Sequence, residues 1–188
     1  AGIGQAGFTD GLLQQQAQFN EPIGVAIIGN FIYVADFQNH AIRQIDVQTS
    51  LVTTVAGNGQ AGFVDGSPQI SQLNNPVGLA ADIDGNLLIS DLNNHSIRKL
   101  NVTTFQLTTI AGNGTSGNVD GSNNATRFNS PADISVDSQG VIYVADAFNH
   151  LIRKIEGGTT STLAGTGVAG YTEGNGAQAQ FNQPTGIF

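Results

Sequence analysis

Short apolar runs separated by Gly, Asn and Asp residues follow one another along the whole chain. None of them repeats its apolar positions every 3.6 residues, as an amphipathic helix would. Gly29 and Asn30 separate the first two runs, and both residue types tolerate the positive φ angles of a tight hairpin turn. The pattern therefore predicts short antiparallel β-strands. In the first part of the chain these strands cover Ile23–Ile28, Phe31–Asp36, Ala41–Ile45 and Leu51–Ala56.

The whole pattern returns with a period of 53 to 55 residues. One marker of the repeat is the sequence Asn-His-x-Ile-Arg, which stands at 39–43, 94–98 and 149–153. A second marker is a glycine-rich segment, which begins at Ala1, Ala56, Ala111 and Ala164. Because the markers keep a common phase, the chain divides into repeats 1–55, 56–110 and 111–163 and a partial repeat 164–188.

Four antiparallel strands in each repeat describe one blade of a β-propeller. A single blade cannot bury both of its faces, so neighbouring blades must stack. The runs Phe31–Ala35, Leu87–Ile89 and Val141–Ala145 are apolar on both faces, as strands between two blades should be. A β-solenoid is the main structural rival, but its coils are shorter. The sequence predicts an all-β chain of about 3.4 four-stranded blades.

The tripeptide Asn149-His150-Leu151, preceded by Tyr143-Val144-Ala145-Asp146, resembles the motif of the NHL-repeat proteins. The resemblance extends over essentially the whole chain and is closest to the variety with long glycine-rich loops between blades. It implies a β-propeller that commonly has six blades, which at this repeat length needs about 330 residues. We therefore expect the chain to be part of a longer ring or array, completed by further blades of the same or a neighbouring chain.

Each repeat carries Asp, Asn, His and Arg at the same positions. The spacing places the Asp and the Arg of a repeat in one hairpin, where they can neutralise each other beside the core. Equivalent histidines in every repeat indicate a structural role, although a ring of such groups could also bind an ion. The predicted motif residues are Asp36, Asn39, His40 and Arg43, Asp91, Asn94, His95 and Arg98, and Asp146, Asn149, His150 and Arg153.

Composition and charge exclude several classes of function. The 188 residues include 14 acidic but only six Lys or Arg residues, and the net charge of −8 disfavours nucleic acid as a partner. With no cysteine, disulfides, thiol nucleophiles and iron–sulfur clusters are excluded. No apolar stretch is long enough for a membrane span.

The glycine-rich loops fit the pattern GxGxxG four times, but no helix follows them, so we assign them no nucleotide. Each loop carries one acidic residue, and calcium needs several converging oxygens. Calcium binding there stays an open alternative. No serine lies in a GxSxG context. We therefore assign no catalytic, cofactor-binding or metal-binding residue. The loop acids are Asp10, Asp65, Asp120 and Glu173.

Four Asn residues stand in N-glycosylation sequons, and one of them, Asn94, belongs to the repeat motif, where a glycan would be crowded. The better candidates are Asn101, Asn113 and Asn124. Together with a surface poor in lysine, they favour an extracellular or cell-surface location.

Taken together, these features predict a non-enzymatic structural or binding module of a larger secreted or surface protein. Its partner would be a protein or a glycan, contacted through the loops Ala56–Asn75 and Ala111–Ser130. One alternative is an enzymatic propeller of the lyase or lactonase kind, with a metal on the axis held by residues of the innermost strands. We expect those strands to be the ones that follow each proline. The other alternative is a purely architectural repeat whose blade edges pair between chains.

Overall fold

The computed structural model describes residues 2–188, so Ala1, the first residue of the predicted first repeat, lies outside it. The described residues form 14 strands and four short 3₁₀ helices. The strands are β1 (Gly11–Leu12), β2 (Pro22–Ile28), β3 (Phe31–Asp36), β4 (Ala41–Asp46), β5 (Leu51–Ala56), β6 (Pro76–Ala81), β7 (Leu87–Asp91), β8 (Ser96–Leu100), β9 (Leu107–Ala111), β10 (Gly121–Ser122), β11 (Pro131–Val136), β12 (Ile142–Asp146), β13 (Leu151–Glu156) and β14 (Thr159–Ala164). The 3₁₀ helices are Phe37–Asn39, Leu92–Asn94, Asn123–Ala125 and Ala147–Asn149.

The strands form three antiparallel sheets, which we call blades 1, 2 and 3. Their strand orders are β1-β5-β4-β3-β2, β6-β7-β8-β9 and β10-β14-β13-β12-β11. The four-stranded antiparallel blades and the all-β class predicted from the sequence are thereby confirmed. Blades 1 and 3 also gain a two-residue fifth strand from the glycine-rich segment, which the sequence pattern did not predict. In blade 2 a single bridge, Gly66 with Leu107, takes its place.

The blades stack through their first long strands, because β6 packs against both β2 and β11. At the centre of this contact a Cβ atom on Gly78 would lie 2.7 Å from the Cα atom of Asp133. Only glycine permits so close an approach of two backbones. The strands predicted to be innermost thus lie next to one another across the three blades.

Two apolar clusters fill the interfaces between the blades. Tyr33 and Ile42 of blade 1 meet Leu87 and Leu100 of blade 2 in the first cluster. In the second, residues of blade 2 such as Ile97 meet residues of blade 3. The far face of β2 is different, because its isoleucine and valine side chains are more than half exposed. Within residues 2–188 no helix is long and apolar enough to cross a membrane.

Candidate functional site

Each repeat motif builds a buried network around its arginine. In blade 1 the guanidinium of Arg43 is fully buried and donates from Nη1 to Asp36 Oδ2 and from Nη2 to Asp10 Oδ1, both at 2.7 Å. It also donates to the backbone carbonyls of Thr9 and Gln18 at 2.8 Å. Because Asp10 and Thr9 belong to the glycine-rich segment, Arg43 fastens that segment to the blade.

The same network recurs in the other two blades. Arg98 pairs with Asp91 and, at 2.7 Å, with Asp65. Arg153 pairs with Asp146 at 2.7 Å and with Asp120 at 2.6 Å. The structure therefore brings together the Asp and Arg of every predicted motif and adds the loop aspartates weighed as calcium ligands. Calcium binding stays an untested alternative.

The motif asparagines complete each network. Asn94 donates from Nδ2 to Asp91 Oδ2 at 2.8 Å and to the carbonyl of Gly62 at 2.7 Å, and Asn39 and Asn149 make the equivalent contacts. Burial raises the pKa of the Asp91 carboxyl to about 6, against the opposing effects of Arg98 and Asn94. These polar groups are thus engaged inside the blades and point to a structural role.

The three histidines link each blade to the segment that leads into the next one. The backbone N–H of Asn75 donates to Nδ1 of His40 at 3.1 Å, and that of Ser130 donates to Nδ1 of His95 at 3.0 Å. His150 receives the N–H of Gln183 in the same way at 3.1 Å. Each imidazole therefore has its own partner. Among the residues the structure describes, no group of three or more His, Cys, Asp or Glu side chains is placed to hold a metal ion.

Asp82 and Asp137, at the ends of two predicted innermost strands, close hairpin turns. Oδ1 of Asp137 accepts the backbone N–H groups of Gln139 and Val141, and these hydrogen bonds lower the pKa of its carboxyl. Asp82 closes its own turn in the same manner and also pairs with Lys99 at 2.6 Å.

The candidate glycosylation sites differ in accessibility. Asn101 and Asn124 are exposed, Asn113 is half-buried, and Asn94 is buried. Oδ1 of Asn101 accepts the backbone N–H groups of Thr103 and Thr104, so the side chain also shapes the β8–β9 turn.

A cavity of about 740 Å³ lies between blades 2 and 3, and we call it the interblade cleft. Its polar rim includes Asp82, Asp84 and Lys99, and the turn Gly157-Gly158 closes one end. Its floor is apolar and consists of Leu88, Ile110, Ile142 and Ile155. Sequence reasoning missed this site. The only signal was the third repeat, which is two residues shorter in the β13–β14 turn.

The sequence pattern of the family described as NHL repeat matches residues 19–45, 73–100 and 128–155. The chain is 31% identical over 157 residues to the protein SUPPRESSOR OF QUENCHING 1, chloroplastic, of Arabidopsis thaliana, a match that covers 78% of the chain and 15% of that protein. It is 28% identical over 170 residues to human NHL repeat-containing protein 2, covering 83% of the chain and 23% of that protein. The chain thus spans less than a quarter of either relative.

Solved structures show a similar fold at low sequence identity. An auxiliary nutrient binding protein from Bacteroides ovatus superposes with a TM-score of 0.68 at 21% identity, over 92% of this chain and 44% of that one. A chain of a nidogen/laminin complex gives 0.59 at 17% identity, over 91% and 53%. A gluconolactonase from Xanthomonas campestris gives 0.57 at 15% identity, over 78% and 48%. The fold is therefore shared by binding proteins and by an enzyme.

Proposed function

The chain belongs to the NHL-repeat family, and from this premise we propose that it is a non-enzymatic binding module within a larger β-propeller protein. The interblade cleft is the observation that carries the proposal. It combines an apolar floor with a few polar groups at its rim, as binding pockets commonly do. Its volume lies in the range of such pockets.

The use of the charged side chains in the repeats supports a binding role. All three motif arginines are fully buried and hold two carboxylates each. The motif histidines accept backbone hydrogen bonds from the neighbouring segment. Since these groups maintain the blades, recognition falls to the variable loops, above all 56–75 and 111–130. The second loop contributes Asn123 and Asn124 to the cleft.

The exposed far face of β2 supports a place within a larger assembly of blades. Val25 and Ile27 on this face are 58% and 68% exposed, whereas Leu79, on the inner strand of blade 2, is buried. An additional blade of the same or a neighbouring chain would cover this face of β2 as blade 1 covers Leu79. A secreted or surface location, with glycans at the exposed Asn101 and Asn124, belongs to the same proposal.

Binding assays and metal analysis of the full-length protein test this function. We expect selective binding to members of a peptide library or a glycan array. Exchange of the exposed residue Asn124 for arginine should weaken it, and the same exchange at Gln15, which is exposed on blade 1, should not. A stoichiometric zinc or calcium ion, whose removal abolishes a lyase or lactonase activity, would contradict the proposal.

A further inference from the structure

The two interfaces between blades contain the same turn in two versions. In blade 2 the β8–β9 turn carries Val102 and Phe105, and both side chains pack against the cluster between blades 1 and 2. They lie beside Leu87 and Leu100, which are paired across β7 and β8. The chain itself thus supplies an aromatic side chain that fills the outer part of this interface.

In blade 3 the corresponding turn consists of two glycines and therefore contributes no side chain to the interface. Ile142 and Ile155 form the equivalent pair across β12 and β13, but Gly157-Gly158 replaces the four residues from Val102 to Phe105. Both glycines have positive φ, 56° and 78°, as a two-residue hairpin turn requires.

The side chain that the preceding blade contributes is also smaller at the cleft than at the first interface. Tyr33 of blade 1 corresponds to Leu88 of blade 2, since each lies opposite the residue after the motif arginine, Gln44 and Lys99 respectively. The cleft is therefore the place of a missing aromatic side chain.

The charges at the rim of the cleft indicate which kind of group would be favoured next to an aromatic ring bound there. Lys99 Nζ lies 2.6 Å from Asp82 and neutralises it. Asp84 is 4.0 Å from the same ammonium group, and its side chain is 73% exposed. Among residues 2–188 the Asp84 carboxylate has no cation nearer than this, and the chain has a net charge of −8. A cationic group next to the aromatic ring would be favoured here.

We propose that the interblade cleft binds an aromatic side chain of a partner peptide that carries a basic residue beside it. This inference rests on the proposed binding function and names its ligand. A peptide fits better than a glycan because none of the described residues that line the cleft is aromatic and could stack on a sugar ring. The natural occupant of the equivalent space, Phe105, is itself presented by a peptide turn.

Methyl NMR with blocked dipeptides tests the proposal directly. Acetyl-Phe-Arg-amide at millimolar concentration should shift the methyl resonances of Leu88, Ile142 and Ile155 in a saturable way. Acetyl-Ala-Arg-amide should leave them unchanged, and acetyl-Phe-Glu-amide should bind several-fold more weakly. Equal binding of the three probes, or shifts of these methyls by oligosaccharides instead, would overturn the proposal.

A turn graft provides the matched variants. Replacing Glu156-Gly157-Gly158 with Asn-Val-Thr-Thr-Phe, the sequence of 101–105, should fill the cleft and weaken dipeptide binding at least tenfold. The control graft Asn-Val-Thr-Thr-Ser has the same length without the ring, and Ser50 shows that serine adopts the required positive φ of 60°. It should retain binding within about threefold. Equal loss with both grafts would contradict an aromatic site.

Asp84→Asn removes one charge from the rim but leaves the size of the cleft and the length of its turns unchanged. Because exposed charge pairs contribute little, binding of acetyl-Phe-Arg-amide should weaken only about two- to fivefold. Its advantage over acetyl-Phe-Glu-amide should largely disappear, and an unchanged preference would contradict the role of Asp84. If the full-length protein keeps its partner when the Phe graft fills the cleft, the ligand assignment fails while the binding function stands.

Discussion

Blades 1 and 2 meet over an interface that Phe105 and Val102 close at its outer end, whereas blades 2 and 3 meet over a cleft of about 740 Å³. Both interfaces use the same inner-strand contacts and the same histidine link to the following segment. The two interfaces differ in one turn, β8–β9 against β13–β14, and in one facing side chain, Tyr33 against Leu88. In this fold, local variation between repeats can open a cleft at one interface while the repeated framework stays intact.

The largest effect on stability is expected from the buried motif arginines, which every blade contains. Arg43→Met and Arg98→Met leave the buried carboxylates of Asp36 and Asp91, respectively, without their cation, which should reduce the free energy of unfolding by about 3–5 kcal/mol. Urea unfolding of each variant measures this loss. Equal losses at the two positions would show that the framework is equivalent in blades 1 and 2.

Arg127 supplies the matched control for these arginines. It makes no ion pair among the described residues and donates to backbone carbonyls of its own loop, including those of Asn124 and Ala125. Arg127→Met should therefore cost less than about 1 kcal/mol. A similar loss for Arg127→Met and Arg98→Met would contradict the special role of the buried network.

A smaller effect on stability is expected from Phe105, whose ring has no counterpart at the second interface. Phe105→Ala removes a partly buried ring from the first interface and should lower the free energy of unfolding by about 1–3 kcal/mol. Ser50→Ala, at the equivalent exposed turn position of blade 1, should change it little. A negligible effect of Phe105→Ala in urea unfolding would show that the ring does not seal the interface.

The pH dependence of stability that comes from the motif histidines should be the smallest effect and similar at the two interfaces. Burial lowers the pKa of His95, against a weaker opposing effect of Asp146, and burial also lowers the pKa of His40. A histidine with a lowered pKa in the folded state contributes stability above the unfolded value of about 6.5, and this stability is lost as pH falls through the folded pKa. Protonated Nδ1 can no longer accept the backbone N–H of Ser130.

Comparison with His95→Asn isolates this contribution. Asparagine tolerates the left-handed φ of 49° at this position, and Asp91, with its pKa of about 6, titrates in both proteins. Between pH 7.5 and 5 the natural protein should lose stability relative to the variant, by less than about 1 kcal/mol. A constant difference across this range would contradict the role of the neutral imidazole.

The sequence predicted the framework well because local patterns determine it. Strands β3 and β5 begin and end where the apolar runs and turn residues placed them. The contact of Asp36 with Arg43 follows from their seven-residue spacing within one hairpin. Strands β1 and β10 were not predictable in this way, because two residues such as Gly11-Leu12 carry no periodic pattern.

Contacts between distant parts of the chain were also missed. Asp10 reaches Arg43 across 33 residues of sequence, and nothing in its glycine-rich loop identifies that partner. The cleft depends on side-chain volumes from two blades at once. The short turn at Gly157-Gly158 was visible in the sequence, but its consequence appears only when Leu88 and Ile110 are placed opposite it.

Methyl NMR of the natural protein and Phe105→Ala, each titrated with acetyl-Phe-Arg-amide, tests most directly that the side chain of Phe105 closes the first interface to an aromatic ligand. In the natural protein Ile142 and Ile155 should shift, while the equivalent pair Leu87 and Leu100 should not. In Phe105→Ala both pairs should shift, because the first interface then has a vacant aromatic position as well. Leu87 and Leu100 should need a higher peptide concentration, because Tyr33 leaves less room at the first interface than Leu88 leaves in the cleft. Shifts at both pairs in the natural protein, or no shift of Leu87 and Leu100 in Phe105→Ala, would contradict the account.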